Sequence, residues 1–143
     1  SDQTTPICLT NHAYLNIAGT SAADVLGLIL EIPADNILAI DEEQIPTGEI
    51  KPVVETAFDF RQGKMVGKDI QQLANGYDHY FVINRPQTNK DLIPVAKLTD
   101  PVSGRAMEIL STEAGVQFYS GNFLDGSHIG SNGQALTKFK GLC

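Results

Sequence analysis

The shortness of the apolar stretches is the feature that most constrains the fold of this chain. Stretches such as GLILEIPA, HYFVIN and GVQFYSG are too short to build a helical layer, and several alternate apolar with polar side chains. A period of two places neighbouring side chains on opposite faces of a strand. Glycine, proline, asparagine and aspartate separate the stretches and favour turns. The sequence therefore predicts an all-β protein.

The same pattern predicts where the elements lie. Strands are predicted at residues 6–10, 27–34, 36–41, 79–84, 92–100, 105–112, 115–121 and 135–139. Helical signal is confined to residues 21–28 and 67–75, each of which could form a turn or two. Proline and glycine in residues 45–50 and 100–105 predict turns, and glycine and serine in residues 125–133 predict a loop.

Length and charge exclude several kinds of partner. The chain has 143 residues, a length typical of one domain, and a net charge of −7. Binding to a phosphate backbone requires clustered cations, so we expect no nucleic acid partner. No apolar run approaches the ~20 residues that span a bilayer, so we expect no membrane partner. Cys8 and Cys143 are too few for a disulfide framework and are predicted to be packed side chains or free thiols.

Polar side chains gather at the predicted strand ends. They are Asn11, His12, Tyr77, Asp78, His79, Gln117, Tyr119 and Asn122. Such groups can hydrogen-bond sugar hydroxyls and offer aromatic faces to C–H surfaces. Each also has a purely structural interpretation, as a turn former or a satisfied buried group. The histidines, including His128, lack the spacing of a metal site, and we expect no metal.

Five segments identify a family resemblance. LTNHAYLNIAG, IPADNILAIDEEQIPTGEI, FDFR, GYDHYFVIN and DPVSGRAMEILSTEAGVQFYSGNFLDG occur in this order, and residues 5–143 closely resemble the central and later part of aldose 1-epimerases, the galactose mutarotases. The resemblance implies an antiparallel β-sandwich, the galactose mutarotase-like supersandwich. It also implies a reaction without cofactors, which interconverts the α and β anomers of aldohexoses such as glucose and galactose. An acid and a base open the ring and close it again.

The resemblance also implies roles for individual residues. His12 matches the histidine of the family's Asn-His-x-Tyr motif, so it resembles the catalytic acid that protonates the ring oxygen. Asp78 and Gln117 match groups that bind the sugar hydroxyls. The neighbouring residues Asn11, His79 and Tyr119 are expected to support them. His128 matches no functional residue of the family.

The resemblance leaves part of the site outside this chain. The family's catalytic base is a glutamate in a Cys-Leu-Glu-Thr-Gln motif, whereas the printed sequence stops at GLC. We therefore expect residues 1–143 to form a single segment of a sandwich domain that is completed by companion chains. The family's usual compartment is the cytoplasm, which is our expectation here, although some relatives are exported.

Two other functions stay open at the level of the sequence. A mutarotase-like sandwich could bind carbohydrate, or serve as a structural module, without turnover. A related hexose-phosphate epimerase would need clustered cations around the phosphate, whereas the cations of this chain are scattered along the sequence. Examples are Arg61, Lys64, Arg85 and Lys97.

Overall fold

The computed structural model describes residues 1–86 and 91–143, and these residues are organised almost entirely as strands. The strands are β1 (Ile29–Glu31), β2 (Asn36–Ile40), β3 (Pro46–Pro52), β4 (Lys64–Met65), β5 (Asp78–Val82), β6 (Ile93–Thr99), β7 (Ala106–Ser111), β8 (Gly115–Tyr119), β9 (Asp125–Ile129) and β10 (Ala135–Thr137). The helical content of the described residues is one 3-10 turn, Ile70–Gln72. The prediction of an all-β protein is confirmed.

The strands form two antiparallel sheets and a separate hairpin. One sheet has the order β4-β1-β6-β7, the other has the order β3-β2-β5-β8, and β9 pairs with β10. All the strand pairs are antiparallel. The chain crosses between the two sheets as it runs, so each sheet contains strands from distant parts of the sequence.

A shared apolar core joins the two sheets. The first sheet contributes Leu30 and Val95, and the second contributes Phe81 and Phe118, all in one buried cluster. The rings of Phe60, Tyr77, Phe81 and Phe118 form the aromatic part of this cluster, with centroid separations from 5.2 to 6.4 Å. Edge-to-face and tilted contacts at this range stabilise a core beyond the effect of burial alone.

Two predictions of turns and loops are wrong. Residues 45–50 are predicted to be a turn but belong to β3, because the turn lies earlier, where the Asp41 carboxylate accepts hydrogen bonds from the backbone N–H groups of Glu43 and Ile45 at 2.9 Å. Gly48, with φ of 87°, lies within β3, whose register with β2 shifts between Leu38 and Ile40. Residues 125–129 are predicted to be loop but form β9.

The chain start also departs from the prediction. Residues 6–10 form no strand, and Ile7 and Leu9 are 68% and 91% exposed. An isolated apolar run gains nothing from an extended conformation without a neighbouring strand to complete its hydrogen bonds. Residues 21–28 form turns and bends instead of a helix. The turn predicted at residues 100–105 is confirmed, with Gly104 at φ of 75°.

The second sheet continues past β8 through two short backbone pairings. Tyr119 and Cys143 exchange two backbone hydrogen bonds of 2.8 Å, and Leu15 and Leu142 exchange two of 2.7 and 2.9 Å. Asp78 lies opposite Tyr119 in the register of β5 and β8. Directly paired residues of antiparallel strands point to the same face. Asp78, Tyr119 and Cys143 therefore lie in a row, with the 14–15 segment beyond them.

Replacement of Leu30 by alanine tests the position of the core. Leu30 is 4% exposed and Leu9 is 91% exposed. We expect Leu30→Ala to lower the free energy of unfolding in urea by about 2–5 kcal/mol, because it removes buried methyl groups and leaves a cavity. Leu9→Ala is the matched control, and we expect it to change that free energy by less than about 0.5 kcal/mol. Equal losses in the two variants would contradict this core.

Candidate functional site

The register of β5 and β8 brings Asp78 and Gln117 together. Tyr80 lies opposite Gln117, and Asp78 lies two residues away on the same face. The Nε2 group of Gln117 donates a hydrogen bond of 2.8 Å to Oδ1 of Asp78. This bond uses one carboxylate oxygen and one amide hydrogen. Oδ2 of Asp78 and Oε1 of Gln117 are two further acceptors of the kind that sugar hydroxyls require.

His12 lies next to this row, on the 10–15 segment. The Oδ1 atom of Asn11 accepts a hydrogen bond of 3.0 Å from the backbone N–H of Ala13, which closes a local turn around His12. The His12 ring is 6.5 Å from the Tyr119 ring, centroid to centroid. His12 is exposed. Its imidazole is therefore accessible and held beside the strand end that carries Tyr119.

Two aromatic rings, those of Tyr14 and Tyr119, contact the His12 ring, and a third ring packs on Tyr119. The Tyr14 ring is 5.4 Å from the His12 ring and 6.1 Å from the Tyr119 ring, and the Phe123 ring stacks on Tyr119 at 6.1 Å. The Tyr119 hydroxyl accepts a hydrogen bond of 2.8 Å from the backbone N–H of Phe123. Tyr119 thus supports the loop that presents Phe123. Tyr14 and Phe123 were not predicted as site residues, although Tyr14 belongs to the Asn-His-x-Tyr motif.

A buried polar network fixes the start of β5 beneath the site. Ser120 Oγ accepts a hydrogen bond of 3.0 Å from the Tyr77 backbone N–H, and Asn122 Nδ2 donates one of 2.9 Å to the Tyr77 carbonyl. The Tyr77 hydroxyl donates a bond of 2.9 Å to the Ala57 carbonyl. Tyr77 is completely buried and Asn122 is 4% exposed. The expectation that these two residues offer polar groups to a sugar is therefore wrong; they hold the backbone that leads into Asp78.

Burial changes the acidity of two groups in the row. Desolvation raises the pKa of the Cys143 thiol to about 11, and the charge of Asp78 acts in the same direction. Desolvation also raises the pKa of the Tyr119 phenol. Both groups are therefore neutral near neutral pH.

The remaining predicted residues lie apart from this face. His79 follows Asp78 on β5 and packs on Phe58, with the ring centroids 4.4 Å apart. His128 is exposed on β9. In residues 1–86 and 91–143, no group of three or more His, Cys, Asp or Glu side chains is arranged to hold a metal ion. Nor is any helix in the described ranges long and apolar enough to cross a membrane.

Arg61 and Lys64 are engaged by carboxylates other than that of Asp78. Arg61 pairs with Asp59 at 2.8 Å and with Asp35 at 3.0 Å. Lys64 pairs with Asp69 at 2.6 Å. The Arg61 guanidinium lowers the pKa of Asp59, chiefly through their side-chain hydrogen bond. These pairings favour structural roles for Arg61 and Lys64 and give no support to a phosphate site.

Comparison with known proteins assigns the family. The family model described as aldose 1-epimerase matches residues 1–143. The chain belongs to the aldose 1-epimerase family. It is 43% identical over 144 residues to galactose mutarotase of Sus scrofa, and 36% identical over 146 residues to aldose 1-epimerase of Haemophilus influenzae. These alignments cover 100% and 99% of the chain but 41% and 42% of the relatives, so the chain spans about two fifths of their length.

Solved structures of epimerases share the fold. An aldose epimerase homologue from C. elegans superposes with a TM-score of 0.79 at 28% identity, over 92% of this chain and 39% of that structure. Galactose 1-epimerase from Lactobacillus acidophilus gives a TM-score of 0.70 at 28% identity, over 92% and 37%. The predicted family and the predicted mutarotase-like β-sandwich are confirmed.

Thiol reactivity tests the burial of Cys143 in the row that it forms with Asp78 and Tyr119. Because its pKa is raised to about 11, roughly one Cys143 thiol in 10³ is ionised at about pH 8. We expect Cys143, studied in a Cys8→Ser variant, to react with iodoacetamide at least about tenfold more slowly than Cys8 in a Cys143→Ser variant, since Cys8 is exposed. Similar rates at the two thiols would contradict the packing of Cys143 against Tyr119.

Proposed function

We propose that this chain provides the acid half and the sugar-binding half of an aldose 1-epimerase site, acting on aldohexoses such as galactose and glucose. The observation that carries the proposal is the hydrogen-bonded pair of Asp78 and Gln117 on the same face as Tyr119, with His12 against Tyr119. The names of the relatives, galactose mutarotase and aldose 1-epimerase, support the reaction and the sugar.

The chemistry assigns a task to each residue. His12 donates a proton to the ring oxygen, because imidazole is the side chain whose pKa lies nearest to neutral pH. Asp78 and Gln117 accept hydrogen bonds from hydroxyls and orient the ring, which lowers the entropic cost of reaching the transition state. Asn11 orients His12 through its local turn, and Tyr119 provides an aromatic surface beside the sugar.

The strand register indicates where a catalytic base would enter. Tyr119 pairs with Cys143, and Gln117 lies two residues before Tyr119 on β8. A polypeptide that continued from Cys143 in this register would place its second residue opposite Gln117, on the face that carries Asp78. In the family motif Cys-Leu-Glu-Thr-Gln, the glutamate is the second residue after the cysteine. This match supports a catalytic base that enters the site opposite Gln117.

Two proton transfers open the sugar ring and close it again. The base removes the proton of the anomeric hydroxyl while His12 protonates the ring oxygen, and the ring opens to the aldehyde. Rotation about the bond between C1 and C2 presents the other face of the carbonyl. Closure then reverses the two proton transfers, so the base and His12 exchange roles and no cofactor is consumed. We propose that this assembly functions in the cytoplasm, the compartment in which free aldohexoses are metabolised.

Replacement of His12 tests the assignment. In the assembly that contains this chain, we expect His12→Ala to lower the rate of catalysed mutarotation of α-D-galactose, followed by polarimetry, by about 10²- to 10⁴-fold, because the acid is lost. His128→Ala is the matched control, since His128 is an exposed histidine on the β9–β10 hairpin, and we expect it to leave the rate unchanged. An unchanged rate in His12→Ala would exclude His12 as the acid. Galactose binding without turnover in the unaltered assembly would instead favour a binding module.

A further inference from the structure

The second sheet opens at the start of β5, directly behind Asp78. The register between β2 and β5 contains two pairs, Asn36 with Val82 and Ile37 with Phe81. β2 continues alongside β3 as far as Ile40, which pairs with Pro46. The two strands therefore diverge beyond Ile37, and a cleft of about 260 Å³ lies between them. Its lining includes Ile40, Asp41, Glu42, Phe58, Asp78 and His79.

The divergence affects the backbone N–H group of Asp78. Tyr119 uses its own N–H and carbonyl groups to bond Cys143, on the side away from β5. Asp78 and Tyr119 are directly opposite each other but share no backbone hydrogen bonds. The backbone N–H and C=O groups of Asp78 therefore point away from β8 and toward β2. At this position β2 has already moved away. A polar backbone group needs a substitute acceptor there.

His79 provides that acceptor. Its Nδ1 atom lies 3.1 Å from the Asp78 backbone nitrogen and accepts the N–H hydrogen bond. The imidazole is half-buried and packs on Phe58 in a tilted arrangement, with a centroid distance of 4.4 Å and an interplanar angle of 54°, so packing restricts its orientation. An Nδ1 atom that accepts a hydrogen bond carries no proton, which requires the neutral ring with its hydrogen on Nε2.

We propose that His79 is a positioning residue whose neutral imidazole replaces the absent β2 partner, fixes the Asp78 backbone and so holds the Asp78 carboxylate against Gln117. This inference rests on the proposed function, because it concerns the sugar-binding carboxylate of that site. Protonation of His79 turns Nδ1 into a donor facing another donor. The hydrogen bond is then lost, and Asp78 becomes free to leave Gln117.

The charges around His79 set the direction of its titration. The charge that acts on the ring is that of Asp78 on its own strand. Asp41 and Glu42 line the same cleft, and Phe58, which packs on the ring, is uncharged. Desolvation lowers the pKa of His79 and outweighs the opposing charge of Asp78. The folded chain therefore binds this proton less readily than the unfolded chain does. The stability that depends on neutral His79 is present above about pH 6.5 and is lost as the pH falls below that value.

Two substitutions separate hydrogen bonding from packing. In His79→Asn, the Oδ1 atom can occupy the place of Nδ1, so the acceptor remains but cannot be protonated. In His79→Phe, the ring can still pack on Phe58, but the acceptor is gone. The readout is hydrogen exchange of the Asp78 amide in the ¹⁵N-labelled chain, expressed as a protection factor between about pH 5 and pH 8. The Phe81 amide, within the β5–β8 ladder, reports whether the fold is intact.

The expected results follow from the hydrogen bond. In the unaltered chain, protection of the Asp78 amide falls about tenfold as His79 is protonated. In His79→Asn it stays high and independent of pH, and in His79→Phe it is low at every pH, while Phe81 stays protected. The Gln117 side-chain amide exchanges faster wherever Asp78 is unprotected. Unchanged Asp78 protection in His79→Phe, or the same pH profile in His79→Asn as in the unaltered chain, would overturn the proposal.

Galactose affinity separates this inference from the proposed function. At about pH 7.5 we expect His79→Phe to raise the Kd for galactose about tenfold, because the acceptor is lost. We expect the Kd of His79→Asn to equal that of the unaltered chain, because the acceptor is kept. If the assembly that contains the unaltered chain does not bind galactose at all, the proposed function fails, and the exchange data alone decide the role of His79. If the chain binds galactose equally well in all three forms, the positioning role is wrong.

Discussion

The pairing of Tyr119 with Cys143 is the interaction on which the rest of the site depends. It extends the second sheet beyond β8 and sets the direction of the Tyr119 backbone groups. That direction determines that Asp78 faces Tyr119 without sharing hydrogen bonds with it, and that the Asp78 backbone turns toward β2. It also aligns the 14–15 segment, which carries the chain from His12 into the core. A shift of one residue in this pairing would move the Cys143 side chain to the other face of the sheet.

The residues that make the backbone rigid are different from those that are proposed to contact the sugar. Tyr77, Ser120 and Asn122 are buried and saturate one another with hydrogen bonds, so the backbone before Asp78 has little freedom. His12 and Gln117, by contrast, are exposed. A buried network that is fully hydrogen-bonded can hold exposed polar groups at fixed positions without the cost of burying them. A sugar, which offers hydroxyls on all sides, needs such fixed acceptors more than it needs a deep pocket.

The sequence predicted the fold class and the positions of several strands, but it missed others. Alternation of apolar with polar side chains was sufficient to locate β5, β6 and β8, each of which contains buried residues. It also located β7, although every residue of β7 is exposed or half-buried. It failed for β3 and β9, where proline or glycine lies within a strand that is almost entirely exposed, and where neighbouring strands, not burial, decide the structure. It also failed at residues 6–10, where an apolar run has no strand beside it.

The candidate site could be predicted only in part, because some of its contacts join segments that are far apart in the sequence. The motifs pointed to His12, Asp78 and Gln117, and the strand register brings the last two together. Tyr14, Phe123 and Cys143 join the row through pairings between segments that are far apart in sequence, which no local pattern encodes. The acceptor role of His79 depends on the divergence of β2 from β5, and that feature is visible only in the folded chain.

The most direct test is titration with D-galactose of the assembly in which this chain is ¹⁵N-labelled, followed by NMR. If the account is correct, the Gln117 side-chain amide and the Asp78 backbone amide shift along one binding curve, together with the His12 ring. Gln134, a glutamine on the cleft between residues 14–22 and the β9–β10 hairpin, serves as the internal reference and does not shift. Shifts at Gln134 without any change at Gln117, or no saturable shift at Gln117 and Asp78, would contradict a sugar site on this face.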